Sequence, residues 1–94
     1  MSARRVIFRI HAIQRMFERQ VSEQNVRQVL QSGEIIEDYS DDMPFPSGLM
    51  MSKPGTRPLH VVMAENAEDE ALVVITVYEP DPSQWKASFK SRKI

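Results

Sequence analysis

The chain has 94 residues and a mass of 10.9 kDa, room for one domain that buries about 65% of its unfolded surface. With 41% apolar and 27% charged residues it is globular rather than disordered, and the absence of cysteine excludes a disulfide framework, a thiolate metal site and a cysteine nucleophile. The net charge of −1 hides an asymmetry: five arginines against Glu18 in residues 1–19, three bases against twelve acids in residues 20–82, and four bases with no acid in residues 83–94.

Val6, Phe8 and Ile10 recur at every second position, which reads as a short strand or an extended lead-in. From His11 the period becomes helical. Ile13 and Phe17, and less well Ala12 and Met16, form an apolar stripe over residues 11–19. Ser22 reads as the N-cap of a second helix over residues 23–32, with Val21 and Val26 as a hydrophobic staple. Gly33 is expected in the left-handed conformation that closes a helix. Everything afterwards reads as β. Residues 34–39, 49–53, 59–64 and 72–78 are expected strands, and the last is the most β-branched. A proline-containing loop over residues 41–47, Pro54-Gly55 and an acidic turn at 65–70 separate them. Residues 83–94 carry Trp85 and Phe89 and suit a short helix or another strand. Two helices followed by an antiparallel sheet make an α+β domain over residues 1–94, with a basic tail from about residue 86.

His11, Arg15 and Arg19 fall at i, i+4 and i+8, so one helix face would present an imidazole and two guanidiniums. That set suits phosphodiester cleavage without metal, in which a base takes a hydroxyl proton and cations stabilise the charged phosphorane-like state. It equally suits a solvated basic face with an incidental histidine. On the third strand His60 alternates onto the face of Val62 and Ala64. A turn centred near residue 68 would set it opposite Thr76, close to Tyr78, as a catalytic group or as a histidine bonded to a hydroxyl at the core edge. Thr76 and Tyr78 would share a face with Leu72 and Val74. Trp85 beside Lys86, Lys90 and Arg92 suits a base-stacking ring among phosphate-binding cations, or a core-edge ring under a basic tail. Two histidines on different elements give no metal-ligand spacing, so no metal and no cofactor are expected.

His11-Ala12, Arg15-Met16, Arg19 and the capped helix ending at Gly33 resemble the opening of domain of unknown function family 4258. Pro46-Ser47, the run from Pro58 to Val62, the run from Ile75 to Pro80, and Trp85 continue the resemblance. Where that family often has a glycine after the second arginine, this chain has Gln20. The family is similar to small ribonuclease toxins of the RelE and MqsR kind. The resemblance implies two N-terminal helices on a roughly four-stranded antiparallel sheet, with an RNA groove on the sheet's other side or edge. It also implies RNA as substrate, at a ribosome in some such toxins, and a zinc-finger, helix-turn-helix antitoxin as partner.

The expected function is therefore a metal-independent endoribonuclease in which a ribose 2′-OH attacks the adjacent phosphate. His11, His60, Tyr78 and Arg15 are the candidate catalytic residues. Arg19, Thr76, Trp85 and Lys86 are the candidate substrate-binding residues. The rival expectation is a non-catalytic module binding a protein or nucleic acid through the same basic face. A cytoplasmic location without membrane association is expected, since the longest near-continuous apolar run, residues 71–77, is too short to span a bilayer.

Overall fold

The computed structural model describes residues 5–39, 41, 45–54, 57–86 and 88–92. Strand β1 (Arg5–Phe8) is followed by helices α1 (Ile10–Glu18) and α2 (Glu23–Ser32). Strands β2 (Glu34–Tyr39), β3 (Ser47–Ser52), β4 (Leu59–Asn66) and β5 (Ala71–Tyr78) come after them. The sheet order is β1-β5-β4-β3-β2. The four later strands form the antiparallel sheet read from the sequence, in the order of a meander. The sheet nevertheless has five strands and is mixed, because Arg5–Phe8 pairs parallel to β5 through Arg5↔Ala71 and Phe8↔Val74. The alternation at Val6 and Phe8 was the trace of that strand.

One face of the sheet carries both helices. Ala12 and Met16 of α1, and Val21, Val26 and Val29 of and beside α2, pack with Met50, Leu59, Val61, Met63, Val74 and Val77. Local chemistry starts α2 as expected: the Ser22 side chain accepts from the Asn25 amide at 3.0 Å, and Val21 and Val26 are both buried. Its end is different. Gly33 has φ −75° and ψ 171°, extended rather than left-handed. Glycine is needed there for closeness, since a Cβ would sit 2.5 Å from the Val29 carbonyl oxygen and 2.8 Å from that of Met51.

The left-handed cap closes α1 instead. The Val21 amide donates to the Met16 carbonyl at 2.8 Å and the Gln20 amide to that of Phe17 at 3.3 Å, with Gln20 at φ 56°. This is a complete Schellman closure around a residue that is not glycine. Arg57 fastens it to the sheet: its guanidinium donates to the Arg19 and Gln20 carbonyls and, at 2.6 Å, to Glu79 just beyond β5.

The buried stripe of α1 also departs from expectation. Ala12 and Met16 face the core at 0% and 9% exposure, while Ile13 and Phe17 stand 52% and 88% exposed. The small Ala12 lets the helix lie close on β5, which turns the bulkier pair outward.

Two β-bulges set what the opposite sheet face presents. In β5, Thr76 pairs with Val62 but Val74 pairs with Met63, so Ile75 is an extra residue. In β2, Glu37 pairs with Leu49 but Ile35 with Met50, so Ile36 is extra. Each inserted residue reverses the side-chain alternation beyond it. Val77 therefore joins Val74 in the core, and Thr76 and Tyr78 lie on the other face, not with Leu72 and Val74 as simple alternation implies. Glu37 and Tyr39 reach that same face. Among the described residues, no helix is long and apolar enough to cross a membrane.

Candidate functional site

On the face away from the helices, His60 is fully buried at 0% exposure. It pairs across the strands with Tyr78, two residues further on than Thr76: one from the turn register, Asn66↔Ala71, and one from the β5 bulge. Its Nδ1 lies 3.2 Å from the Tyr78 hydroxyl, and its Nε2 lies 2.7 Å from the Phe89 carbonyl oxygen. A carbonyl only accepts, so Nε2 carries the ring hydrogen and Nδ1 accepts from Tyr78. The ring of Trp85, 3% exposed, stands edge-on to the imidazole at 4.4 Å, and that of Tyr78 at 5.2 Å.

Trp85 and Phe89 belong to a C-terminal strap across the sheet. Residues 81–84 form a turn, with the Ser83 amide bonded to the Asp81 carboxylate at 2.8 Å. The Lys86 amide then donates to the Ser91 carbonyl at 2.8 Å, and Trp85 bridges antiparallel to Arg92. Phe89, at the tip, has φ 59°. Arg92 reaches back over the Trp85 ring at 4.6 Å and donates to both Glu37 carboxylate oxygens, at 2.8 and 3.3 Å. Lys90 pairs with Glu34, and the Lys53 ammonium lies 5.7 Å from the Phe89 ring centroid. The Tyr39 hydroxyl donates to Glu37.

These contacts set the protonation states. Burial pushes the His60 pKa below the ordinary histidine value, outweighing the Phe89 carbonyl, which favours the charged form. Burial likewise raises the Tyr78 hydroxyl. The Arg92 hydrogen bonds hold the Glu37 carboxyl below its usual range, and those bonds in turn raise Arg92. Tyr39 is raised mainly by its bond to Glu37. The strap is thus seated by a neutral imidazole at its centre and by charge pairs at its margin.

The structure brings His60, Tyr78 and Trp85 together, with Thr76, half-buried, two residue pairs along, opposite Val62. Lys86 is exposed on the strap. His11, Arg15 and Arg19 do not join them. His11 and Arg15 are on the exposed side of α1, across the sheet from His60, and Arg15 bonds Glu18 at 3.2 Å. Arg19 is the C-cap rather than a third helical position. The expected single cleft holding both histidines does not form, because α1 packs on the core face while pleat alternation turns His60 to the other. Glu37, Tyr39, Phe89 and Arg92 complete the cluster without having been singled out as site residues, apart from Arg92's place in the basic tail. Among the described residues, no three histidine or acidic side chains are grouped to hold a metal.

A family model described as a domain of unknown function, DUF4258, matches residues 8–79. The chain belongs to the DUF4258 family. No curated protein and no solved structure matches it. The DUF4258 match runs from the last residue of β1 to just past β5, so it takes in His11, Arg15, Arg19, His60, Thr76 and Tyr78. The strap, with Trp85, Lys86, Phe89 and Arg92, follows it. In this DUF4258 chain the histidine and its hydroxyl partner are therefore inside the matched span, and the segment that covers them is outside it.

Proposed function

We propose that this DUF4258 chain is a metal-independent endoribonuclease of the toxin type, working on the sheet face away from the helices. The observation that carries the reading is the His60–Tyr78 pair. A neutral imidazole and a phenol in hydrogen-bond contact stand beside an aromatic ring and a segment bearing Lys86, Lys90 and Arg92. The resemblance to RelE- and MqsR-like toxins supports it, since it implies an RNA groove on the sheet's other side or edge. RNA reaches His60 when the strap lifts and the Phe89 carbonyl releases Nε2. In the tautomer with Nδ1–H directed at Tyr78, Nε2 takes the 2′-hydroxyl proton as the 2′-oxygen attacks phosphorus. Tyr78 gives its proton to the departing 5′-oxygen and is reprotonated from Nδ1, which leaves a 2′,3′-cyclic phosphate, a 5′-hydroxyl and a neutral imidazole. Lys86 holds the phosphate, and Trp85 stacks on a base.

The test is cleavage of a mixed single-stranded RNA in excess EDTA, with and without ribosomes. Chelator-resistant cleavage with cyclic phosphate ends is expected, faster in Arg92→Ala, at least tenfold slower in Tyr78→Phe and absent in His60→Gln. No cleavage by wild type or Arg92→Ala under either condition overturns the reading. So does full activity in Tyr78→Phe and His60→Gln.

A second reading has its own observation: both ring nitrogens of His60 are satisfied and the residue is fully buried. Under it His60 is structural, and the chain is a non-catalytic module binding a protein or nucleic acid through its basic surface. Binding would then fall with salt and survive Tyr78→Phe, with no strand cleavage.

A further inference from the structure

Glu37 and Arg92 set opposite charges near the buried imidazole, and they do so from different elements. Glu37 belongs to β2, where the extra residue Ile36 turns it onto the His60 face. Its carboxylate accepts two bonds from Arg92 and one from the Tyr39 hydroxyl, and its side chain is 25% exposed. Arg92 belongs to the strap. Its guanidinium lies 4.6 Å from the centre of the Trp85 ring, and that ring stands 4.4 Å from the imidazole. With the strap seated, Glu37 favours the charged form of His60 and Arg92 opposes it.

The other titratable and charged groups on this face are fixed or turned elsewhere. Tyr78 on β5 is bonded to Nδ1, and burial raises its hydroxyl, so it stays neutral. Tyr39 on β2 is likewise raised, chiefly by its bond to Glu37. Lys53, just after β3, lies against the Phe89 ring. On the strap, Lys90 is paired with Glu34 of β2 and Lys86 is exposed.

Lifting the strap changes the balance in one direction. Arg92 leaves with the strap, whereas Glu37 stays in the sheet beside Tyr39. The imidazole gains water and faces an anion that has lost its counter-cation, and both changes favour a proton on the ring. When Nε2 takes the 2′-hydroxyl proton, the ring is cationic until Nδ1 gives its proton to Tyr78. A carboxylate on the same face stabilises the ring while that charge develops.

We propose that Glu37 is a positioning residue that makes His60 a stronger base once the strap lifts, and that Arg92 cancels it while the strap is seated. The inference rests on the reading of His60 as the catalytic base, but its measurement does not require cleavage.

The experiment uses the full chain with His11→Gln throughout, so that His60 gives the one imidazole signal. NMR follows that ring through a pH titration, and cleavage of single-stranded RNA in EDTA is measured on the same proteins. Arg92→Ala serves as the background for the Glu37 exchanges, because Glu37→Gln alone would also loosen the strap. His60 should titrate at higher pH in Arg92→Ala than with Arg92 present, fall back in Arg92→Ala/Glu37→Gln, and stay high in Arg92→Ala/Glu37→Asp, which keeps the charge. The acid limb of the cleavage profile should follow, with the plateau kcat roughly threefold lower in Arg92→Ala/Glu37→Gln than in Arg92→Ala and KM unchanged. A cooperative thermal transition in each protein separates a changed imidazole from a lost fold. The same titration in all four proteins overturns the proposal. So does a rise in Arg92→Ala that Glu37→Gln leaves in place, which assigns the effect to lost burial and the lost cation alone. The expected titrations without cleavage in any protein overturn the nuclease reading and uphold the hold of Glu37 on the imidazole.

Discussion

The carbonyl oxygen of Phe89 lies 2.7 Å from Nε2 of His60, so the C-terminal strap takes up one nitrogen of a histidine buried in the sheet. Tyr78 takes up the other. The neutral ring satisfies both partners, whereas a charged ring would lose its acceptance from Tyr78 and sit dehydrated beneath Trp85.

Stability should therefore depend on pH through His60. Its folded pKa is lowered from the ordinary 6.5, so below that value the unfolded chain binds a proton that the folded chain does not. The contribution is fully present above pH 6.5 and is lost as pH falls towards the folded value. Thermal transitions measured from pH 7.5 to 5 should drop in wild type and flatten in His60→Gln. Glu37 acts in a separate window. Its folded pKa is lowered from 4.5, so its contribution is present above that value and fades in more acidic solution.

Trp85 is the only tryptophan, which makes intrinsic fluorescence a direct reporter of the strap. Arg92→Ala removes both the ring contact and the bonds to Glu37. It should red-shift the emission and increase acrylamide quenching while far-ultraviolet dichroism stays unchanged. Raising salt on wild type should do the same more weakly, because the Lys90–Glu34 and Arg92–Glu37 pairs are partly exposed.

Two glycine exchanges should have opposite signs. Gln20→Gly relieves a left-handed backbone at φ 56° and should stabilise by about 0.5–1 kcal/mol, a rise of a few degrees in Tm. Gly33→Ala places a methyl against two backbone carbonyls and should destabilise by about 1–3 kcal/mol. Equilibrium urea unfolding measures both.

Arg57→Lys should also destabilise, by about 1–2 kcal/mol, because an ammonium cannot span the Arg19 and Gln20 carbonyls and Glu79 as the fork does. Thermal unfolding of Arg57→Lys beside wild type tests it, and an unchanged midpoint would contradict the role given to the clamp.

The elements visible in the sequence are those with local causes. Ser22, with Val21 and Val26, announces α2, and the β-branched run of β5 announces a strand. The bulges have no such signal: Ile75 and Ile36 continue an apolar pattern, and only strand pairing reveals that each is an extra residue. That is why Glu37 reaches the His60 face unannounced. On α1, size and spacing favoured Ile13 and Phe17 as core, but the close approach of the backbone to the sheet favoured Ala12. The His60–Tyr78 proximity was legible from hairpin arithmetic, with Thr76 as the expected partner. The strap was not, since a basic stretch with one tryptophan does not say which surface it will cross.

Strand β1 is made first and paired last. Its hydrogen-bonding neighbour, β5, begins at Ala71, opposite Arg5, so the first strand has no place to dock until the last one exists. The meander and α2 rest on nearer contacts and can assemble earlier, whereas α1, like β1, packs on β5 and waits for it. A chain still being synthesised would therefore hold an incomplete sheet until β5 has emerged, and acquires its final form, His60 pocket included, only after the strap that follows β5 has been made.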